Sequence, residues 1–314
     1  MVKPLVSVII PNYNYARYLS QTINSVLAQL YPNIEIIVID DGSTDGSQAV
    51  LREYGERIRW FQQGNEGVSM ARNRGVQESR GEMVAFLDAD DVWLPMKLER
   101  QVQRLVDEPD LGLVHCGYEE INETGDTLRS RLDGLEGWVA KEMLLFKRSA
   151  ILAAGSGALV PRSTFDAVGG FDTRLSTAAD WDFCYRVAVH QRVGFVPEAL
   201  FQYRMHNVNM HANIGVMEHD MLIGYDKAFG RAAPEIHRLR RRSYGNLHMV
   251  LAGSFFRAGK RREFVRHAVK SLWLTPGNFK RVMGFPLRWW QRSRQSKVGS
   301  HPSAQSSSDS SIGK

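Results

Sequence analysis

The sequence is poor in cysteine and lacks any long apolar run, and each shortage excludes a class of protein. Among its 314 residues only Cys116 and Cys184 are cysteines. Two cysteines so far apart provide neither a disulfide framework nor the spacing of a metal site, so we expect two buried, reduced thiols. No apolar stretch reaches the roughly 20 residues that span a bilayer. The chain enters a predicted strand within its first few residues, so we expect no N-terminal signal and a cytoplasmic location.

Acidic residues are scarce in one part of the chain. Between residues 231 and 300, 17 Lys and Arg side chains are accompanied only by Glu235 and Glu263, which gives this segment a charge of +15. Residues 1 to 230 carry 22 basic and 31 acidic side chains and are net acidic. This asymmetry indicates a two-part chain whose basic part could meet a membrane surface, nucleic acid or only water.

Strand-like and helix-like segments alternate over the first ninety residues. Apolar runs at 5–10, 34–39, 58–61 and 81–87 predict strands, and the segments between them have apolar residues at helical spacing. This alternation is typical of an α/β protein with a mainly parallel sheet covered by helices. The hydrophobic content of 43% is ample for such a core.

The chain after residue 110 shows less regular patterns. Residues 155–160 are expected to form a strand, and residues 193–196 and 199–203 two separate short strands. From about residue 215 onward apolar residues recur at helical spacing, and the Ser-rich last twenty residues predict a disordered tail. We therefore expect a first domain, a basic helical region and a tail, at residues 1–214, 215–292 and 293–314.

Aspartates cluster at the end of the fourth predicted strand. Asp88, Asp90 and Asp91 would repel one another unless a positive group lies beside them. Residues two apart on an extended chain point to the same side, so we expect Asp88 and Asp90 to project together and to suit Mg²⁺ or Mn²⁺ held with substrate phosphates. Asp91 is expected to cap the following helix. Since ligands bind at the carboxyl ends of parallel strands, Pro11 and Asp41 are expected to converge on the same edge.

Several segments form a set that is specific when its members are taken together. They are VSVIIPNYN at 6–14, IDDGSTD at 39–45, ARNRG at 71–75, FLDADD at 86–91, GGFD at 169–172, DWD at 180–182 and YR-x-H at 203–206. Over roughly residues 5 to 210 this set resembles glycosyltransferase family 2. The resemblance implies the GT-A (Rossmann-like) fold, with a mixed, mainly parallel sheet flanked by helices, here followed by an α-helical C-terminal extension.

The resemblance implies a function and a donor pocket. Family members of this type build bacterial cell-surface polysaccharides by moving a sugar from a nucleotide-sugar, by family habit a UDP-sugar, to a hydroxyl of a glycan or lipid-linked acceptor with inversion. On the matching positions, Pro11 and Tyr13 would line the base pocket and Asp41 would accept a hydrogen bond from the base. Arg72 would bind the pyrophosphate, and Asp88 would contact the ribose or, through water, the metal. The residue types alone also allow Asp41 to cap a helix and Arg72 to lie on a solvated helix face.

The resemblance also implies a metal and a catalytic base. Asp90 would bind Mn²⁺ or Mg²⁺, with His206 as a further ligand, and Asp180 would be the base that takes the proton of the acceptor hydroxyl. The family usually has Glu-Asp at this place, whereas this chain has Ala179 before Asp180, which puts any role of the missing Glu in doubt. The residue types alone also allow His206 to be structural and Asp180 to be the N-cap of a helix that starts at Trp181.

The basic C-terminal region favours contact with an anionic membrane. Residues 279–290 mix aromatic and apolar side chains with Lys and Arg, a combination that suits the membrane interface. We therefore expect a peripheral protein that docks on the inner face of the cell membrane. The same residues could instead pack on the first domain.

Other functions fit parts of the pattern. Loss of the usual Glu at Ala179 is compatible with a catalytically weakened scaffold. The basic segment is compatible with a nucleic-acid-binding protein, but it lacks a known motif and the acidic front would repel a polyanion, so we expect no nucleic acid partner. A processive synthase is disfavoured because Phe285 stands where its signature has Gln, and a nucleotidyltransferase because residues 11–14 are not a Gly-rich loop.

Overall fold

The computed structural model describes residues 3–206, 213–230 and 233–285. The chain divides into two compact units, residues 1–243 and 244–314. The first unit begins with β1 (Val6–Asn12), α1 (Ala16–Leu27), β2 (Ile34–Asp40), α2 (Ser47–Glu53), β3 (Arg59–Gln62), α3 (Val68–Gln77), β4 (Met83–Phe86), β5 (Val92–Trp93) and α4 (Lys97–Asp107). It continues with β6 (Leu111–Ile121), β7 (Thr127–Arg131), α5 (Ala140–Leu145), α6 (Ala154–Gly157), β8 (Leu159–Pro161), α7 (Arg162–Val168), α8 (Ala179–His190), β9 (Arg192–Arg204), α9 (Ile214–Gly230) and α10 (Pro234–His237).

The nine strands in the described part of the chain form one mixed sheet. Its order is β3-β2-β1-β4-β8-β6-β9-β5, and β7 pairs with β6 as a hairpin. The pairs β1–β2, β1–β4, β2–β3 and β6–β9 are parallel, whereas β8 runs antiparallel to β4 and β6. The mainly parallel sheet with flanking helices is the predicted α/β fold, which is therefore confirmed.

The central strands are apolar on both faces because helices cover both faces. Side chains of β1, β2 and β4 alternate between the two sides and are almost fully buried on each. The register pairs Asn12 at the end of β1 with Asp40 at the end of β2, and Leu87, just past β4, donates its N–H to the carbonyl of Ile9. The carboxyl ends of these three strands therefore meet at one edge, as predicted.

Two strand predictions in the second half of the sheet were wrong. Residues 154–157 form the helical turn α6, and the strand begins only at Leu159. Residues 192–204 form one continuous strand instead of two. Cys116 pairs with Val196 and the next residue of β6 pairs with Ala199, so the two residues between them bulge out of the ladder. Pro197 has no N–H to donate and is accommodated in this bulge, where no ladder bond is required.

The described part of the chain after residue 213 is helical, as predicted. Besides α9 and α10 it contains α11 (Arg240–Arg257) and α12 (Arg261–Leu274), and residues 279–285 are also helical. The boundary between the compact units follows Ser243, whereas the predicted domain boundary follows residue 214; the functional division of the chain stays a prediction. The expected tail lies outside the described residues. In the described ranges no helix combines the length and hydropathy that crossing a membrane requires.

Lys97 is a buried cation beneath the sheet. Its side chain is fully buried, its Nζ donates to Oε1 of Gln101 at 2.6 Å and lies 3.9 Å from the ring centre of Trp93. Burial disfavours the charged form and lowers the pKa of Lys97 to about 8. Gln101 in turn donates to the carbonyls of Val114 and Gly157, so this pair joins α4 to the sheet and to the end of α6.

We predict that Lys97 makes the stability of the protein depend on alkaline pH. Because the folded-state pKa is depressed below the usual 10.5, unfolded chains keep this proton longer, and the free energy of unfolding should rise between pH 8 and 10 by about 2 kcal/mol on account of this one group. Lys97→Met should lack that rise in urea titrations at the two pH values. Lys141→Met, at an exposed position of α5, is the matched control and should keep it. An unchanged rise in Lys97→Met would contradict the assignment.

Candidate functional site

A cavity of about 690 Å³ opens in the first unit beside the acidic loop that follows β4. Its wall includes three of the predicted site residues, Asp88, Asp180 and His206, which are distant in the sequence. They come from the loop after β4, from the first turn of α8 and from the segment just past β9. The fold therefore brings these three side chains to the wall of one cavity.

The acidic loop is a turn and not an extended segment. The N–H of Asp91 donates to the carbonyl of Asp88, so the expectation that alternation on a strand aligns Asp88 with Asp90 was based on the wrong local geometry. The two carboxylates have different partners. Asp88 Oδ1 lies 2.6 Å from Nη2 of Arg72, and Asp90 Oδ2 lies 2.8 Å from Nε2 of His206.

Asp91 does not cap a helix, because α4 begins six residues later, at Lys97. Its carboxylate is buried, and it accepts hydrogen bonds from Oγ of Ser156 and from the N–H of Arg204. Burial, together with the neighbouring charges of Asp90 and Asp88, raises the pKa of Asp91 well above its usual value. Asp91 is therefore an internal support of the loop.

Three residues that the sequence analysis missed fix this loop. Thr22 Oγ1 donates to the carbonyls of residues 89 and 91, and Ser156 Oγ accepts the N–H of Asp88. Arg204 is buried, donates from Nε to the carbonyl of Asp90 at 2.8 Å, and lies over the ring of Tyr18. Of the three, only Arg204 belongs to a recognisable motif, the YR-x-H segment, and that motif was the one sequence signal for its role.

Arg72 lies inside the protein and not on a solvated helix face. Its side chain is 6% exposed, its guanidinium lies 5.2 Å from the ring centre of Phe171, and its Nε is buried without a hydrogen-bond partner among the described residues. Gly155 permits this arrangement, because a Cβ there would lie 2.7 Å from Oδ2 of Asp88 and 3.1 Å from Nη2 of Arg72. The buried Nε can donate one more hydrogen bond.

Asp41 anchors the loop that leads into α3 and does not cap α2. Its buried carboxylate accepts hydrogen bonds from Nε2 of Gln63 and from the N–H groups of Glu66 and Gly67, all within 2.9 Å. Gly67 has φ 92°, a left-handed conformation that favours glycine. Asp41 follows β2 at this edge of the sheet, and the loop that it binds leads into α3, the helix that carries Arg72.

Pro11 and Tyr13 lie at the end of β1. Pro11 is buried inside the strand, whereas the Tyr13 side chain just beyond it is 42% exposed. Neither residue lines the 690 Å³ cavity, and neither does Asp41. Their predicted contact with a nucleobase therefore concerns a neighbouring part of the edge and stays a prediction.

Asp180 lies in the first turn of α8, which begins at Ala179 and not at Trp181, so Asp180 is not its N-cap. Its Oδ1 accepts the N–H of Trp181 at 2.8 Å, and its Oδ2 has no hydrogen bond from the described part of the chain. The Ala179 side chain, where the family has Glu, is completely buried. Of the two positions 179 and 180, therefore, only position 180 presents a carboxylate to the cavity.

His206 is held by two tyrosines. Its ring stacks on Tyr18 at 5.5 Å between ring centres and meets Tyr15 edge-on at 5.9 Å. Burial is the main cause that raises the pKa of Tyr15, and the negative charges of the acidic loop add to it. Two further histidines follow His206 in the sequence: His219 is exposed on α9, and His211 lies outside the described residues.

The side chains of Asp90 and His206 are of the chemical types that bind a divalent cation. A hard carboxylate oxygen and an imidazole nitrogen are ligands that Mn²⁺ accepts. Within residues 3–206, 213–230 and 233–285, no group of three or more His, Cys, Asp or Glu side chains is arranged to hold a metal. A cation held by Asp90 and His206 would thus have further coordination positions for phosphate oxygens and water.

The chain is similar in sequence to several glycosyltransferases. An uncharacterized glycosyltransferase of Rickettsia typhi is 36% identical over 207 residues, which cover 65% of either chain. The putative teichuronic acid biosynthesis glycosyltransferase TuaG of Bacillus subtilis is 41% identical over 130 residues, 40% of this chain and 51% of that protein. The matches therefore span less than two thirds of these relatives.

A solved structure shows the same fold. The mannosyltransferase PcManGT of Pyrobaculum calidifontis, in complex with GDP-Man and Mn²⁺, superposes with a TM-score of 0.63 at 21% identity, over 92% of this chain and 84% of that one. This likeness confirms the predicted GT-A fold. The model of Glycosyl transferase family 2 matches residues 7–169, just over half of the chain. The chain belongs to Glycosyl transferase family 2.

Proposed function

We propose that the protein transfers a sugar from a nucleotide-sugar, a UDP-sugar by family habit, to a hydroxyl of a glycan or lipid-linked acceptor in cell-surface polysaccharide synthesis. One observation carries the proposal: Asp180 and the acidic loop face the same cavity at the carboxyl edge of the sheet. A transfer with inversion needs a base and a leaving-group site on opposite sides of one sugar. TuaG, a relative named for teichuronic acid biosynthesis, supports the polysaccharide assignment.

Arg72 is suited to the diphosphate of the donor. Its buried Nε lacks a partner among the described residues, and its Nη2 is bound to Asp88 on the cavity wall. A guanidinium makes strong, directed bonds to phosphate oxygens, and burial strengthens them. In this proposal Pro11, Tyr13 and Asp41 lie on the base side and Asp88 contacts the ribose.

Asp90 and His206 would hold Mn²⁺ or Mg²⁺ beside the diphosphate. When bound, the ion supplies Lewis-acid stabilisation of the charge that develops on the departing nucleoside diphosphate. The protein's own part is to keep the two ligands together, which the contact at 2.8 Å and the packing of His206 on Tyr18 already do. PcManGT has the same fold and its structure is a complex with Mn²⁺, which supports the proposal of a metal in this protein.

Asp180 acts as the general base. Its Oδ1 accepts the N–H of Trp181, which fixes the direction of the carboxylate, and its Oδ2 takes the proton of the acceptor hydroxyl. The hydroxyl oxygen forms a bond to the anomeric carbon as the bond from that carbon to the diphosphate oxygen breaks. The electron pair of the broken bond leaves with the nucleoside diphosphate, and the configuration is inverted.

We predict that substitutions at Asp180 and Asp90 separate transfer from binding. Thermal shift with UDP-sugars and GDP-Man, each with and without Mn²⁺, should identify the donor, because a ligand that binds the folded state raises its melting temperature. Asp180→Asn should keep this shift and lower transfer by about 100-fold or more, because the base is lost. Asp90→Asn should remove the part of the shift that depends on Mn²⁺.

Asp166→Asn, at an exposed position of α7, is the matched control and should behave as wild type in both measurements. Near-normal turnover by Asp180→Asn would show that the base lies elsewhere. If the wild-type protein binds a donor but transfers its sugar to none of the acceptors offered, the scaffold alternative is favoured. The buried Ala179 leaves that alternative open.

We also propose that the second unit docks on an anionic membrane. Along α12, Val265, Val269 and Trp273 recur every four residues and are 54%, 61% and 75% exposed, so they form an apolar stripe on one face. The adjacent row of the helix carries exposed basic side chains, Arg262, Arg266 and Lys270. Phe279 and Met283 are exposed as well, whereas residues 286–290 of the predicted docking segment lie outside the described residues. Apolar and basic groups side by side suit the interface of anionic lipids.

We predict that Val269→Ser with Trp273→Ser lowers partition onto vesicles of mixed phosphatidylglycerol and phosphatidylcholine by about tenfold in sedimentation, since both apolar side chains are lost from the stripe. Leu128→Ser, which removes an exposed apolar side chain of β7, should leave partition unchanged. Wild-type binding should weaken with salt and with neutral vesicles. Equal partition of the double variant, or stronger retention of the wild type on DNA, would overturn the docking proposal.

A further inference from the structure

Helix α9 contacts the chain on both sides of Asp180, although it lies outside residues 7–169 that match the family model. We propose that α9 holds the general base in position, and that Asp220 is the main positioning residue. This inference rests on the proposed function, since it concerns the orientation of the base of the same site. It is carried by three contacts from one face of the helix, at positions 220, 224 and 227, which are spaced by four and three residues.

The first contact is a buried carboxylate that binds the turn before α8. Asp220 is 2% exposed, and its Oδ2 accepts the N–H groups of Ser176 and Thr177, each at 2.8 Å, and that of Ala178 at 3.4 Å. The hydroxyl groups of Ser176 and Thr177 donate to the same oxygen at 3.2 and 3.1 Å. Burying a carboxylate is costly unless hydrogen bonds compensate its charge. In the described part of the chain these bonds all come from this one turn, so the turn and Asp220 are held together.

Helix α8 lacks a side-chain cap of its own, because its N-cap residue is Ala178. The positive end of a helix dipole favours a negative group, and N–H groups at a helix start need acceptors. Asp220 places a carboxylate at this end of α8 and binds the N–H groups that lead into it. Asp180 is the second residue of α8, so the direction of its carboxylate depends on how this turn is held.

The second contact is with Trp181, the residue that follows Asp180. Its indole is stacked between Tyr185 of α8 and Tyr225 of α9, at ring-centre distances of 5.5 and 5.0 Å. Gly224 permits this close packing, because a Cβ there would lie 3.0 Å from Cζ3 of Trp181. Asp180 Oδ1 accepts the N–H of Trp181 at 2.8 Å, so a shift of Trp181 would move the hydrogen bond that orients the base.

The third contact is an ion pair with the first turn of α8. Lys227 Nζ lies 2.7 Å from Oδ1 of Asp182 and 2.6 Å from Oδ2 of Asp172. Asp182 is buried two residues after Asp180, so its charge needs this cation. One face of α9 thus binds residues before and after the base. In this proposal α9 is part of the catalytic apparatus, whereas the sequence predicted that it belongs to a separate helical region.

The test measures release of nucleoside diphosphate by the full chain with Mn²⁺, from whichever of GDP-Man, UDP-glucose and UDP-GlcNAc gives the largest thermal shift. Asp220→Ala should lower kcat by about 30-fold, because a base that is misplaced by a fraction of an ångström works poorly. The KM for the donor and the thermal shift that depends on Mn²⁺ should stay as in the wild type. In an Asp180→Asn background the same substitution should cause no further loss, because its effect passes through the base. Asp226→Ala, at an exposed position of the same helix, is the matched control and should keep the wild-type kcat.

A second variant tests the contact with Trp181 without removing a buried charge. Gly224→Ala should lower kcat by about tenfold at unchanged KM, because the added Cβ displaces the indole. Alanine favours a helix over glycine, so this variant should fold. Gly215→Ala is the matched control on the same helix, because a Cβ there meets only Oδ1 of Asn213 at an ordinary 3.6 Å.

Amide hydrogen exchange reports the anchoring itself, without any substrate. Exchange at residues 176–182 should be about tenfold faster in Asp220→Ala than in the wild type or in Asp226→Ala, because the turn opens more readily. Unchanged exchange there, wild-type kcat in both Asp220→Ala and Gly224→Ala, or an equal further loss in the Asp180→Asn background would overturn the inference. Each of these results leaves the proposed function standing as long as the wild type transfers sugar. Failure of the wild type to bind any nucleotide-sugar would instead overturn the proposed function, and the inference with it.

Discussion

Three carboxylates crowded at the end of β4 are the constraint around which the first unit is built. Like charges this close would repel one another, and each of the three is relieved in a different way. Asp88 pairs with buried Arg72, Asp90 contacts His206, and Asp91 is so desolvated that its pKa rises well above its usual value. The result is a loop in which two carboxylates stay near the cavity and the third supports the fold.

The groups that hold this loop in place come from distant parts of the chain. Thr22 belongs to α1, Ser156 to α6 and Arg204 to the end of β9, and all three bond to the backbone or side chains of residues 88–91. The loop therefore cannot move without disturbing several elements at once. This rigidity is what a donor site requires, because a preorganised site needs no rearrangement when charge develops on the leaving group.

The sequence predicted the features that follow from chain order and missed those that follow from packing. Alternating strands and helices imply a parallel sheet, and the meeting of Asn12, Asp40 and Leu87 at one edge is a consequence of that topology. The role of Asp91 was predicted wrongly because a cap is a local property, whereas its true partners, Ser156 and Arg204, lie 65 and 113 residues away. No periodicity reveals contacts of that kind.

The same distinction separates the two sides of the cavity. The side proposed for the donor is made of short motifs whose residue types suit phosphate, metal and proton chemistry, so they can be recognised in a single sequence. On the other side the character comes from the convergence of ordinary residues, such as Met143, Met205 and Met217, each of which reads alone as a core residue. Their common wall exists only in the folded chain. Specificity for the acceptor is therefore the property that a family pattern describes least, and the folded structure is the place to look for it.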